Sequence, residues 1–108
     1  MYLISFYVPP AALDSVKKAM FKTGAGKIGN YDNCCWQTLG HGQFRPLEGS
    51  SPFTGTRNEI EQVDEFKVEM VCRKRNLSAA LKALVDSHPY EEPAYHAMEI
   101  VTLEEIKP

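Results

Sequence analysis

The cleanest alternation of apolar and polar positions runs from Glu65 to Cys72, with Phe66, Val68, Met70 and Cys72 on one side and Glu65, Lys67 and Glu69 on the other. A period of two marks a strand with one buried face. Tyr2 to Val8 repeats it: Tyr2, Ile4, Phe6 and Val8 share one face, Leu3, Ser5 and Tyr7 the other, and Pro9-Pro10 ends the strand. Helical spacing takes over from Ala11 to about Lys22, where Leu13, Val16, Ala19 and Met20 form a stripe that Gly24 and Gly26 stop. A second stripe of Leu77, Ala80, Leu81, Leu84 and Val85 predicts a helix capped by Asn76 and ended near Ser87-His88, because Pro89 restricts the residue before it. Tyr31 to Leu39 predicts a strand that places Cys34 and Trp36 together, and Ala94 to Val101 predicts the last strand, followed by a polar tail.

Between the two middle strands, Gly40 to Asp64 holds four of the seven glycines and two prolines, which predicts a long excursion. The order is βαββαβ: two βαβ halves forming an antiparallel four-stranded sheet with both helices on one face, an α+β class. A chain of 108 residues with 44% apolar and 24% charged residues is expected to form one domain, residues 1–108. Net charge is −2 with the two signs interspersed, so nothing resembles the basic stripe that neutralises phosphates, and nucleic acid is not an expected partner. No apolar run is long enough for a membrane span, and MYLISFYV lacks a basic leader, so a cytoplasmic location is expected.

Three motifs invite a chemical reading. GAGKIG (Gly24 to Gly29) spells the dinucleotide-binding letters, but a helix precedes it and a strand follows, the reverse of the order that puts a pyrophosphate on a helix N-terminus. A helix C-cap and turn, with glycine supplying positive φ, is the expectation, and no cofactor is called for. The cysteines are three, with Cys34 and Cys35 adjacent and on opposite faces of their strand; no CxxC spacing supports a zinc site, and reduced thiols are expected.

His88, Tyr90, Glu91 and Glu92 in HPYEEPAY (His88 to Tyr95) read as a rigid turn between prolines, with a ligand or interface role as the sharper alternative. His96, sharing parity with Met98 and Ile100, is expected as a hydrogen-bonded core histidine. In the excursion, His41, Arg45 and Arg57 lie among glycines and could hold a small anion through guanidinium forks and exposed N–H groups, against the plainer reading of a solvated loop. No nucleophile, histidine and carboxylate stand together in a recognised motif, so no catalytic residue is assigned.

GAGKIGNYDNCCW (Gly24 to Trp36), GHGQFRPLEGSSPFTG (Gly40 to Gly55) and HPYEEPAY together resemble the CutA/PII-like domain inserted in the Nif-three-like (DUF34, YqfO) family, over nearly the whole chain. HPYEEPAY alone is similar to the HPY turn of CutA proteins. The resemblance implies a ferredoxin-like fold, trimeric assembly, and a partner- or ligand-contacting loop between strands two and three. It does not carry over the dinuclear metal centre, whose flanking lobes are absent from these 108 residues; what it implies is the accessory module as a free-standing chain. The expected function is therefore a non-enzymatic small-ligand-binding or protein-interaction module that uses the excursion and the HPYEEPAY turn. A divalent-metal-binding CutA-type protein is the alternative, and a small enzyme the third. An uncovered sheet face carrying Tyr7 adds the expectation of a homo-oligomer, trimer ahead of dimer.

Overall fold

In the computed structural model, which describes residues 1–107, strand β1 (Tyr2–Val8) leads through a 3-10 turn (Pro10–Ala12) into helix α1 (Leu13–Phe21). Strands β2 (Trp36–Phe44) and β3 (Glu61–Cys72) follow, then helix α2 (Lys74–Ser87), strand β4 (Tyr95–Glu99) and one short turn of helix, α3 (Leu103–Ile106). The sheet order is β2-β3-β1-β4, with every pairing antiparallel. Both helices cover one face, and the split βαβ architecture is the ferredoxin-like one expected from periodicity.

The alternating strands decide where the core lies. Ile4, Phe6 and Val8 from β1 and Val68, Met70 and Cys72 from β3 meet Leu13, Val16 and Met20 of α1 and Ala80 and Leu84 of α2. Leu77 and Leu81 pack at its margin, whereas Val85, placed in the same stripe by the sequence, is exposed. Burial pushes the Cys72 thiol above its ordinary range, and Cys34, Cys35 and Cys72 are unpaired.

Four sequence expectations need correction. Strand β2 is not Tyr31 to Leu39; it starts and ends five residues later, so Cys34 and Cys35 precede it rather than alternating within it, and the Cys34 amide donates to Gly26 O at 2.8 Å. Pairing with the long β3 decides this: His41 lies opposite Asp64 and Phe44 opposite Glu61, so both ends of the supposed excursion, 40–44 and 61–64, form a two-stranded ribbon. Helix α2 starts at Lys74 after an extended Arg73, before Asn76 could cap it, because only that residue separates the helix from β3. His96 is exposed, since its register opposite Ser5 puts it on the uncovered face.

That uncovered face has readable rows. Trp36, Glu69, Ser5 and His96 lie side by side across the four strands, flanked by Thr38, Lys67 and Tyr7 on one side and by Val71, Leu3 and Met98 on the other. Ser5, the smallest residue in the central row, is only 2% exposed, while Trp36 at 62% and Met98 at 51% stand in solvent.

Candidate functional site

Strand β1 ends at Val8 opposite Phe66, yet β3 continues outward to Glu61, and β2 accompanies it to Phe44. The ribbon therefore projects beyond the sheet body, giving the molecule extents of 54 × 23 × 23 Å. Two segments fold against its base: the loop over residues 45–60 and the turn His88 to Ala94.

The turn is anchored by His88. Its imidazole is 7% exposed, its Nε2 lies 2.6 Å from Tyr7 O, and its Nδ1 accepts the Tyr90 amide at 3.1 Å. Because Nδ1 must be an acceptor, the ring is neutral with its proton on Nε2, which donates to the carbonyl. Burial holds its pKa below the usual histidine range, against weaker opposition from the Tyr7 carbonyl and the Glu65 charge. Both nitrogens are occupied, so His88 positions the turn and has no free lone pair for a ligand.

Tyr90, held by that anchor, carries its ring to the ribbon, with centroids 6.3 Å from Phe44 and 6.1 Å from Phe53. Its hydroxyl is buried without a hydrogen-bond partner of proper geometry. Burial and the neighbouring Glu65 carboxylate push the phenol up to about 12. Glu65 reaches this place because Gly42 has no side chain: a Cβ there would land on the carboxylate. The loop is fastened to the turn by the Ser51 amide, which donates to Glu91 Oε1 at 2.9 Å, and is braced internally by Arg57, whose Nε and Nη2 both donate to Ser50 O.

These contacts leave a cleft of about 420 Å³ between loop, ribbon and turn, with Phe44, Phe53 and Tyr90 among its walls and Arg45, Glu65, Glu91 and Glu92 as its charged lining. Of the residues singled out from sequence, Arg45, Tyr90, Glu91 and Glu92 are thus brought to one place. The other three are not. His88 lies beneath it, Arg57 is engaged with Ser50, and His41 lies on the ribbon with its Nδ1 2.9 Å from Asp64 Oδ1. Sequence reasoning missed Phe44, Phe53 and Glu65; the first two lay in a segment read as irregular, and Glu65 counted only as the outward half of an alternation. Among the described residues no group of three or more His, Cys, Asp or Glu side chains is placed to hold a metal ion, and no helix is long and apolar enough to cross a membrane.

Solved CutA and PII-like structures share this split βαβ fold. CutA1 from Pyrococcus horikoshii superposes with a TM-score of 0.69 at 15% identity, covering 98% of this chain and 89% of that one. More particularly, the chain is similar over most of its length to one segment of NIF3-related proteins. The Bacillus cereus protein related to NIF3 matches with a TM-score of 0.77 and 34% identity over 89% of this chain and 24% of its own. A protein named GTP cyclohydrolase 1 type 2 homolog, from Halalkalibacterium halodurans, is 40% identical over 95 residues, which are 88% of this chain. The chain spans about a quarter of the length of the curated relatives it matches, 26% in that instance. No family model matches the chain.

Proposed function

We propose that the chain is a single, non-enzymatic binding module that takes a small ligand, or a short segment of a partner protein, in the cleft between the 45–60 loop and the HPYEEPAY turn. The observation that carries this reading is the convergence of Phe44, Phe53 and Tyr90 with four charged side chains in one open cleft. Concave, mostly apolar surface with a few placed polar groups is the usual form of a small-molecule site. Phe53 is 63% exposed within it, a degree of exposure that a purely structural aromatic does not need. No side chain in the cleft pairs a nucleophile with a base, the arrangement that covalent catalysis uses. The activity in the relatives' name is theirs, and about three quarters of their length lies outside this alignment. A cytoplasmic setting suits the three free cysteines.

Self-association through the uncovered sheet face is part of the same reading. Trp36, Leu3, Tyr7 and Met98 make that face more apolar than solvent contact alone requires, and a closed ring of three copies would cover it. Light scattering at micromolar concentration tests it: a multiple of 12.2 kDa, reduced by Tyr7→Glu, is expected, and a single-chain mass unchanged on concentration would refute it.

The ligand reading is tested by thermal unfolding against panels of nucleotides, small carboxylates, organic amines and divalent cations. A ligand at 100 times its dissociation constant raises stability by about 2.7 kcal/mol, a shift of many degrees at this size. The expected result is a shift with one class that Phe53→Ser removes. A shift with Cu(II) or Zn(II) removed instead by His41→Ala would favour the divalent-metal reading, for which the exposed His41–Asp64 pair is the starting donor set. No shift with any panel would count against a small-ligand site in this cleft.

A further inference from the structure

Resting on the cleft assigned above, the charge and aromatic content of its walls narrow its occupant. Three carboxylates, Glu65, Glu91 and Glu92, line it against the single guanidinium of Arg45. Arg57, the second cation that an anion site would have used, donates from Nε and Nη2 to Ser50 O on the loop itself, and His88 is a neutral imidazole sealed below. An anion entering here would meet a net negative wall. Tyr90 packs in tilted contact with Phe44, Phe53 and His88, and of these rings Phe53, 63% exposed, is the one that offers open surface to the cleft. Open aromatic faces attract a cation through the ring quadrupole, most strongly where water is partly excluded and a carboxylate stands nearby. Glu65 supplies that carboxylate in the cleft lining, held over Gly42.

We propose that the Phe44–Phe53–Tyr90 cleft is an aromatic cage for a small organic cation, an alkylammonium or guanidinium group, with Glu65 as its counter-charge. The aromatic wall takes the apolar surface of the cation, and Glu65 balances its charge. Glu91 also donates its charge to the cleft but is already bonded to the Ser51 amide, so its main part is to hold the loop in place. Glu92 adds charge at the rim. The small anion suggested by His41, Arg45 and Arg57 in the sequence does not find those three groups together.

The test compares choline with its uncharged carbon isostere, dimethylbutanol, titrated into the whole chain at fixed ionic strength and followed by the ring resonances of Phe44, Phe53 and Tyr90. Saturable choline shifts in all three rings are expected, with the isostere binding about tenfold more weakly. Glu65→Gln, near-isosteric and so matched to the space above Gly42, should weaken choline about fivefold or more while leaving the isostere unchanged; Phe53→Leu should weaken both. Thermal unfolding of each variant checks that it is folded. Equal binding of choline and the isostere would overturn the cation while leaving the cleft as a binding site. Inorganic phosphate shifting the same rings when choline does not would overturn the charge assignment. Ring shifts that follow protein concentration and no added compound would mean that a second copy fills the cleft, and silence from these probes and from the ligand panels alike would overturn the binding-site reading itself.

Discussion

The sheet body and the ribbon end are built from the same strands and obey different rules. In the body, β3 from Phe66 to Cys72 buries every second residue under two helices; in the ribbon, its continuation from Glu61 to Glu65 meets only β2, a loop and a turn, and buries no residue fully. The body is held by apolar volume: Phe6, Ile4, Met20 and Met70 are its largest enclosed side chains. The ribbon end is held by particular contacts, including the Ser51–Glu91 bond, the Arg57–Ser50 pair of bonds, the His88 anchor and the space above Gly42. Stability resides in the first region and an accessible concave surface in the second, an arrangement in which a rigid scaffold carries a variable working end.

The contrast can be broken most sharply by truncating one aromatic in each region. Phe6→Ala should cost about 3–5 kcal/mol, because its full burial leaves a cavity behind, whereas Phe53→Ala should cost less than about 1 kcal/mol. Urea unfolding of the two variants gives the comparison directly, and similar losses would mean that the ribbon end is as tightly built as the body. Next in size is Gly26→Val. Gly26 has φ +78, and an added Cβ would crowd the Phe21 ring and Cys34 O, so a loss of about 1–3 kcal/mol is expected without any change in nucleotide affinity. Saturable dinucleotide binding abolished by that change would revive the reading that the helix-before-strand order rejects.

A smaller effect ties the two regions together through pH. His88 has a folded pKa below its unfolded value of 6.5, so the unfolded chain binds the proton more readily. The stabilisation is therefore complete above 6.5 and is lost as pH falls from there through the lowered folded value; protonation also turns Nδ1 into a donor facing the Tyr90 amide. Denaturant midpoints measured downward from neutral pH should fall, with less slope in His88→Gln; identical slopes would remove His88 from the account. The least costly change, Tyr90→Phe, deletes a hydroxyl that has no partner, and should leave stability nearly unchanged or slightly raised while eliminating a phenol step near 12 from the alkaline absorbance titration of the five tyrosines. Loss of a step near 10 instead would show the hydroxyl to be solvated.

The same division explains what could be read from the chain alone. Body strands declare themselves because burial on one face imposes alternation: Ile4, Phe6 and Val8, then Val68, Met70 and Cys72, fall where the pattern puts them. Ribbon residues such as Gly40, Gly42 and Gln43 carry no such pattern, since neither helix covers them, and their strand conformation comes from pairing with β3. Arg45, Tyr90, Glu91 and Glu92 were legible as candidates by residue type, but their meeting depends on contacts between segments about forty residues apart, such as Ser51 with Glu91. His96 failed for a related reason: parity within one strand does not say which parity faces the helices, and only the register with β1 decides it.

The central claim is that the 45–60 loop and the HPYEEPAY turn meet to form one cleft, and proton NMR of the aromatic rings in solution tests it most directly. Ring centroids 6.1 Å apart bring protons of Phe53 and Tyr90 close enough for nuclear Overhauser cross-peaks, and the Ser51 amide bonded to Glu91 should exchange with solvent more slowly than its loop neighbours. Cross-peaks between the two rings, weakened together with Ser51 protection by Glu91→Ala, are the expected result. Phe53 resonances at unstructured positions with no contact to Tyr90 would mean that the loop does not close on the turn, and the cleft assigned to ligand binding would not exist.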